Sequence, residues 1–293
     1  MANLKAIRQR IRSVQNTQKI TRAMRLVAAA KVRRAQMRTL AARPFTSRIV
    51  RLLQQVCDEV ADIDLQELPL LRRREVNSVA LIVFSSDRGL CGSYNTNVIK
   101  AAARRVQELK AEEKKVGLIT IGLKAAAFFK RINIEKYKTF TLLSAVPNIQ
   151  EAKLIAEVAS ELYTSKTVDK VEIIGTRFVN MIRQDVENLQ FLPVELPKGV
   201  DHNPLSSETL FEPTLMELME EELLPKYVEN VIYQALMEAS ASELAARMNA
   251  MTNASSNAKE LIQLLTLEYN KARQASITQE LLEIVGGAEA LNK

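Results

Sequence analysis

The sequence predicts a mixed α/β fold in which a small α/β domain is inserted between two long terminal helices. Three observations carry this expectation. Residues 3–43 contain neither Gly nor Pro, and neither do Lys226–Val285. Between these stretches, apolar runs alternate with amphipathic segments, as in chains that build a mostly parallel sheet covered by helices.

The N-terminal element opens at Asn3, a suitable N-cap. Leu4, Ile7, Ile11 and Val14 recur at spacings of three and four, and Ile20, Met24 and Val27 resume the stripe after a shift of phase. At 1.5 Å per residue this helix runs about 60 Å to Pro44, or on past it, longer than an ordinary globular helix. It must lay its stripe on a partner. In the middle, Val76–Phe84, Val116–Ile121 and Val168–Gly175 read as buried strands, and Gln184–Pro193 as an additional one. Helices fall at Asn95–Lys115, Leu123–Ile132 and Gln150–Thr164. This alternation describes a Rossmann-like domain. Four of the eight prolines lie between Pro193 and Pro213, which reads as a loop. Glu217, Glu220, Glu221 and Glu222 then suit a helix N-terminus. The last helix is rich in Ala, Leu, Glu and Met, spans about 90 Å, and is expected to stop at Gly286-Gly287. Its stripe is Leu244, Met248, Met251, Ser255, Ala258, Ile262 and Leu265, with several small residues that allow close helix approach. The economical pairing is an antiparallel coiled coil between the two chain ends, with imperfect heptads and phase breaks. The expected division is a helix over 1–60, an α/β domain over 75–195 and a helix over 215–290.

Composition narrows the function. Residues 1–57 hold 14 Lys/Arg and no acid, while residues 58–293 hold 27 Lys/Arg against 34 Asp/Glu. One end of the chain therefore projects a concentrated positive field. Cys57 and Cys91 have no metal or redox spacing and suit a reducing compartment. The single histidine, His202, sits in the proline-rich loop, so no histidine-based metal site is expected; no cofactor is expected either. No apolar stretch reaches the length of a transmembrane helix, and no signal peptide is evident.

The segment SSDRGLCGSYN, Ser85–Asn95, has the strand–glycine–helix layout of a phosphate site. A Walker loop needs Gly-Lys-Ser/Thr at its end, but Gly92 is followed by Ser93 and Tyr94. A dinucleotide fingerprint needs three glycines and an acid closing the second strand. Here only Gly89 and Gly92 are present, and Ile121 leads into Gly122, Leu123 and Lys124. A nucleophilic Cys91 lacks a nearby histidine, so it reads as a packed residue, with Asp87 and Arg88 shaping the turn or meeting a partner surface. Nucleic-acid binding fits the basic helix, but no aromatic residue precedes Phe45 to stack on bases. A nucleotide-binding enzyme and a nucleic-acid adaptor stay open as alternatives to a protein-binding mechanical part.

Three motifs in order sharpen this. TRAMRLVAAAKVRRAQ (Thr21–Gln36), DRGLCG (Asp87–Gly92) and NKARQASITQELLEIVGGAEA (Asn270–Ala290) resemble the gamma subunit of F-type ATP synthases. Arg43–Phe45 and Leu68–Val76 look closest to the cyanobacterial and plastid branch. Plastid members carry a regulatory insertion with a cysteine pair, and cyanobacterial ones a shorter form without it. Val194–Pro213 is too short for either, and holds no cysteine. The resemblance implies a central rotor shaft made of the paired termini, inside a ring of three alpha and three beta subunits. The α/β domain becomes a foot that meets the epsilon subunit and the membrane c-ring. The catalytic sites would lie on the beta subunits, so this chain would be no enzyme and would bind no nucleic acid. It would sit peripherally on the cytoplasmic face of a bacterial plasma membrane or the stromal or cytoplasmic face of a thylakoid. It also implies partner contacts. Met24 and Arg247, with Arg33 and Arg34, would face acidic lever segments of the beta subunits. Asp87, Arg88 and Cys91 would lie near the base of the ring. Arg273, Gln274, Thr278 and Glu280 would meet ring loops higher up.

Overall fold

A computed structural model describes residues 4–59, 67–141, 147–195 and 214–291. The chain forms two compact units, Met1–Ala28 with Met248–Lys293, and Ala29–Arg247. Helix α1 spans Leu4–Glu59, and Pro44 lies inside it without ending it. Because proline has no N–H, the helix gives up one intrahelical hydrogen bond there.

The larger unit holds a five-stranded sheet in the order β3-β2-β1-β4-β5. The strands are β1 Ser78–Phe84, β2 Lys115–Ile121, β3 Glu135–Phe140, β4 Lys170–Phe178 and β5 Gln184–Leu192. The first four run parallel and β5 closes one edge antiparallel to β4. Crossovers pass through α2 Tyr94–Ala111, α3 Leu123–Phe129 and α4 Ile149–Thr164. Asn148 caps α4 with a full capping box to Glu151. Alternation along β1 sorts the core. Val79, Leu81 and Val83 pack with Val98, Ala102, Val106 and Phe129 on one face. Ala80, Ile82 and Phe84 pack on the other with Ile155 and Tyr163 of α4. That second face also buries Leu53 of α1 and Val228, Ile232 and Leu236 of the last helix.

Strand β3 was not expected. Its sequence EKYKTF is mostly polar because it is an exposed edge, and edge lysines discourage further strand pairing. Its one irregularity sits beside Leu118/Ile119 of β2, where Gly117 leaves room for the Tyr137 ring. A Cβ there would come within 2.1 Å of it.

The last helix begins as one turn, α5 Leu215–Glu217, capped by Thr214 in a capping box with Glu217. A π-helical stretch, Leu218–Leu223, leads into α6, Leu224–Leu291. Helix α6 runs through Gly286-Gly287, so the expected stop is corrected. Neither glycine's Cβ position meets another atom within 4 Å, and glycine permits a helix end without imposing one. The proline-rich stretch 196–213 with His202 lies outside the described residues, as does the expected N-cap Asn3.

In the smaller unit the chain ends pair. Arg8 Nη2 donates to the Tyr269 hydroxyl at 2.6 Å, with the guanidinium 5.5 Å from the ring centre. Buried Ile7, Thr21 and Ala28, with half-buried Val14, repeat every seven residues on α1; so do buried Met251, Ala258 and Leu265 on α6. This is an unbroken heptad seam, which corrects the expected phase breaks. Ile20 and Val27 face solvent at 60% and 56% exposure, while the seam continues through Gln18, Thr21, Arg25 and Ala28. A regular helix keeps its phase, so the apolar residues that broke the pattern simply point outward.

The seam's phase makes a direct prediction. Ala28→Leu overpacks it and should cost about 1–3 kcal/mol, read as a lower midpoint of thermal unfolding. Ile20→Ala should stay within about 0.5 kcal/mol of the parent. The reverse order would place the seam on Ile20.

Inside the sheet unit, Glu172 of β4 is buried among cations. Arg105 donates to both its oxygens at 2.8 and 2.9 Å, Lys170 lies at 3.0 Å and Asn188 donates at 2.8 Å. Burial alone would raise its pKa, but the hydrogen bonds from Arg105, Asn188 and Lys170 outweigh it and hold the carboxyl at about 2. This lowered pKa stabilises the fold above the ordinary glutamate range, and the contribution is lost as pH falls from about 4.5 through 2. Glu172→Gln should therefore cost about 3 kcal/mol at pH 7. The difference in unfolding midpoint should shrink as the pH is lowered toward 2.

Candidate functional site

The β1–α2 loop crosses the carboxyl end of the parallel sheet, the position where open α/β sheets place ligands. Its polar groups are engaged by the loop and its neighbours. Ser85 Oγ donates to the Ile121 carbonyl at 2.9 Å and accepts from the Ala125 amide at 2.9 Å. Ser86 Oγ donates to the Arg88 carbonyl at 2.6 Å. Asn95 ties the loop together: its Oδ1 accepts from the Ser86 amide at 2.9 Å and its Nδ2 donates to Cys91 Sγ at 3.1 Å. Asp87 Oδ1 accepts from the Leu123 amide at 2.9 Å.

Close backbone approach explains Gly122 better than Gly89. Gly122 has φ +89°, and a Cβ on it would lie 2.3 Å from the Ser85 carbonyl. A Cβ on Gly89 would meet nothing within 4 Å. The sharp turn itself falls on Leu90 and Gly92, at φ +65° and +58°. The left-handed region is strained for leucine, so the loop needs support from what surrounds it.

That support includes α6. A cavity of about 360 Å³ lies between the loop and α6, lined by Ser85, Ser86, Asp87, Tyr94, Glu243 and Arg247 among others. Tyr94 is buried, and burial pushes its hydroxyl pKa up. Arg247 Nη1 pairs with Glu243 Oε1 at 2.5 Å, and its Nη2 donates to the Gly89 carbonyl at 3.2 Å. Burial raises the Glu243 pKa against the pull of Arg247; Asp87 adds to the rise and Lys31 opposes it.

Of the residues expected to serve partners, the structure gathers Asp87, Cys91 and Arg247 around this loop. Cys91 is 2% exposed, and Arg88 is exposed. Arg33 and Arg34 are exposed on α1 in the same unit. In the smaller unit Met24 is half-buried, and Arg273, Gln274, Thr278 and Glu280 are exposed. Thr278 Oγ1 donates back to the Gln274 carbonyl at 3.0 Å, and Glu280 accepts from Ser276 at 3.3 Å. Sequence reasoning missed Glu243, although its spacing of four from Arg247 on a helix was a readable signal. The Cys57 side chain lies outside the described residues.

A family model described as ATP synthase matches residues 3–291. An ATP synthase gamma chain from Cyanothece sp. is 49% identical, covering 99% of this chain and all of that one. The chain belongs to the ATP synthase gamma-chain family. Gamma chains from Nostoc punctiforme and Thermosynechococcus vestitus are each 46% identical over the same shares. These alignments extend over 317 positions against 293 residues here, so the relatives carry residues without a counterpart in this chain. Among solved structures, the central stalk and c-ring of Tetrahymena thermophila mitochondrial ATP synthase contains a chain 26% identical, with a TM-score of 0.58. The match covers 80% of this chain and 99% of that one. A chain of Euglena gracilis mitochondrial ATP synthase shares the fold at 24% identity and a TM-score of 0.65, covering 98% of this chain and 94% of that one.

Proposed function

We propose that this gamma-family chain is the central rotor shaft of an F-type ATP synthase. It couples proton-driven rotation of a c-ring to conformational cycling of the catalytic beta subunits. The paired termini, 1–60 and 215–290, act as the shaft, and residues 75–195 act as the foot. The shaft stands inside three alpha and three beta subunits, and the foot meets the epsilon subunit and the c-ring. Bond chemistry belongs to the beta subunits. No described helix is long and apolar enough to cross a membrane, which fits peripheral attachment through the c-ring on the cytoplasmic or stromal face.

One observation carries this reading: in the smaller unit α6 outlasts its partner. The hydrogen bond from Arg8 to Tyr269 crosses the seam near the start of α1. From Tyr269, α6 continues to Leu291, about 33 Å at 1.5 Å per residue. There Leu281, Leu282, Ile284 and Val285 are 57–68% exposed. A row of exposed apolar side chains, uncovered by any other described residue, calls for an enclosing protein surface.

The mechanism follows from differential binding. A shaft can shift a beta subunit between states only by contacting those states with different free energies. The shaft is asymmetric, so three chemically identical beta subunits meet three different surfaces. Turning the shaft then carries each site through binding, synthesis and release. Coupling is reciprocal, so ATP hydrolysis drives the shaft backward. The basic face of α1, with Arg33 and Arg34 exposed, attracts acidic lever segments without an apolar lock that would arrest turning.

Co-expression with alpha and beta subunits of a cyanobacterial synthase tests this. The expected product is a stable particle that hydrolyses ATP, while the chain alone hydrolyses none. In the complete synthase, c-ring included and reconstituted in vesicles, charge reversal at Arg33, Arg34 and Arg38 should lower the protons pumped per ATP hydrolysed. Failure to assemble, with tight salt-dependent DNA binding by the chain alone, would overturn the reading.

A further inference from the structure

Within the unit Ala29–Arg247, α6 enters the main core through Val228, Ile232 and Leu236, and farther along it is fastened to the sheet domain at two more places. At the first, Val32 of α1 is buried with Leu244 and Ala245 of α6, and Phe178 and Met181 beside the β4–β5 turn pack onto them. At the second, Arg247 grips both the Glu243 carboxylate and the Gly89 carbonyl. Its side chain is only 14% exposed, and that of Glu243 19%. Arg247 is also the last residue of this unit, so it stands where α6 leaves it.

The chemistry of the grip is specific. A guanidinium presents five N–H donors in a rigid plane, so it can hold a carboxylate and a carbonyl together. Glu243, one turn earlier on α6, aims the fork. The carbonyl it reaches belongs to Gly89, immediately before Leu90 in its left-handed conformation. A strained turn persists only where its surroundings hold it. Asn95 braces that turn from the α2 side and Arg247 braces it from α6. A guanidinium engaged in this way has little exposed surface to offer another subunit.

We propose that Arg247 is a positioning residue that fastens the Gly89–Gly92 turn to α6, so that twist carried along the helix is delivered to the sheet domain through this turn. The proposal rests on the rotor reading for its mechanical meaning, and on geometry within this chain for the contact. Lys31, on α1, and Asp87, in the loop, are the other charged groups facing Glu243, and they complete the charged cluster around it.

Hydrogen exchange in the assembled complex with alpha and beta subunits tests the anchor. In Arg247→Ala the amides of residues 89–93 should exchange about tenfold faster, the consequence of losing one charge-assisted hydrogen bond. Amides of Leu81–Val83 should hold their parent rates. Arg247→Lys keeps the charge but loses the fork, and should fall between the two. Glu243→Gln should accelerate the same amides by a smaller factor, and it provides the test should Arg247→Ala not fold. In the complete synthase, c-ring included and reconstituted in vesicles, protons pumped per ATP hydrolysed should fall in the same order as turn protection. Unchanged exchange at residues 89–93 in Arg247→Ala would overturn the anchor, including where pumping falls, because the arginine would then act on a partner. If the parent chain forms no complex, the rotor reading fails instead, and the same exchange measurement on the free chain decides the anchor.

Discussion

The structure depends on one seam. A helix as long as α6 cannot bury its apolar stripe against a small sheet, and the seam with α1 solves that in the smaller unit with few large side chains. Its buried positions include Thr21, Ala28 and Ala258, with Ile7, Met251 and Leu265 as the larger members. Small residues at heptad positions let two backbones approach closely. The seam takes only two positions in seven from each helix, so the remaining faces stay free. On α1 those faces are basic and carry Ile20, Leu26 and Val27 outward. A shaft that must present different surfaces to its neighbours needs this economy.

The larger unit solves a different problem, holding the base of the last helix without closing around it. Val228, Ile232 and Leu236 of α6 enter the main core beside α4. Farther along, contact narrows to the cluster of Val32, Leu244 and Ala245 and to the Arg247 grip. The phosphate-site layout of Ser85–Asn95 is rebuilt here for that mechanical end. Hydroxyls that could cradle an anion serve the loop backbone instead, and Gly122 answers to the close approach of Ser85.

Much of this was legible in the residues because the signals were local. The absence of Gly and Pro marked both helices, and continuous apolar runs marked β1 and β2. The antiparallel edge strand Gln184–Leu192 was readable to within one residue. Other features were hidden by tertiary context. β3 is an edge strand whose polar sequence reflects exposure, not coil. Gly286-Gly287 looked like a stop because glycine's permissiveness resembles a signal. The seam's phase was misread at Ile20 because an outward-facing apolar residue looks the same in sequence as an inward-facing one. Arg247 could be identified by resemblance, but only the fold shows that its guanidinium turns toward Gly89 within the same chain.

The central claim is that this chain turns inside a ring of other subunits. Observing single assembled particles, with the alpha and beta subunits fixed to a surface and a visible probe on the exposed Lys136 edge of the sheet domain, tests it most directly. Addition of ATP should drive sustained rotation of the probe in one direction, stopping when ATP is exhausted. Continued ATP hydrolysis with the probe stationary would contradict the account.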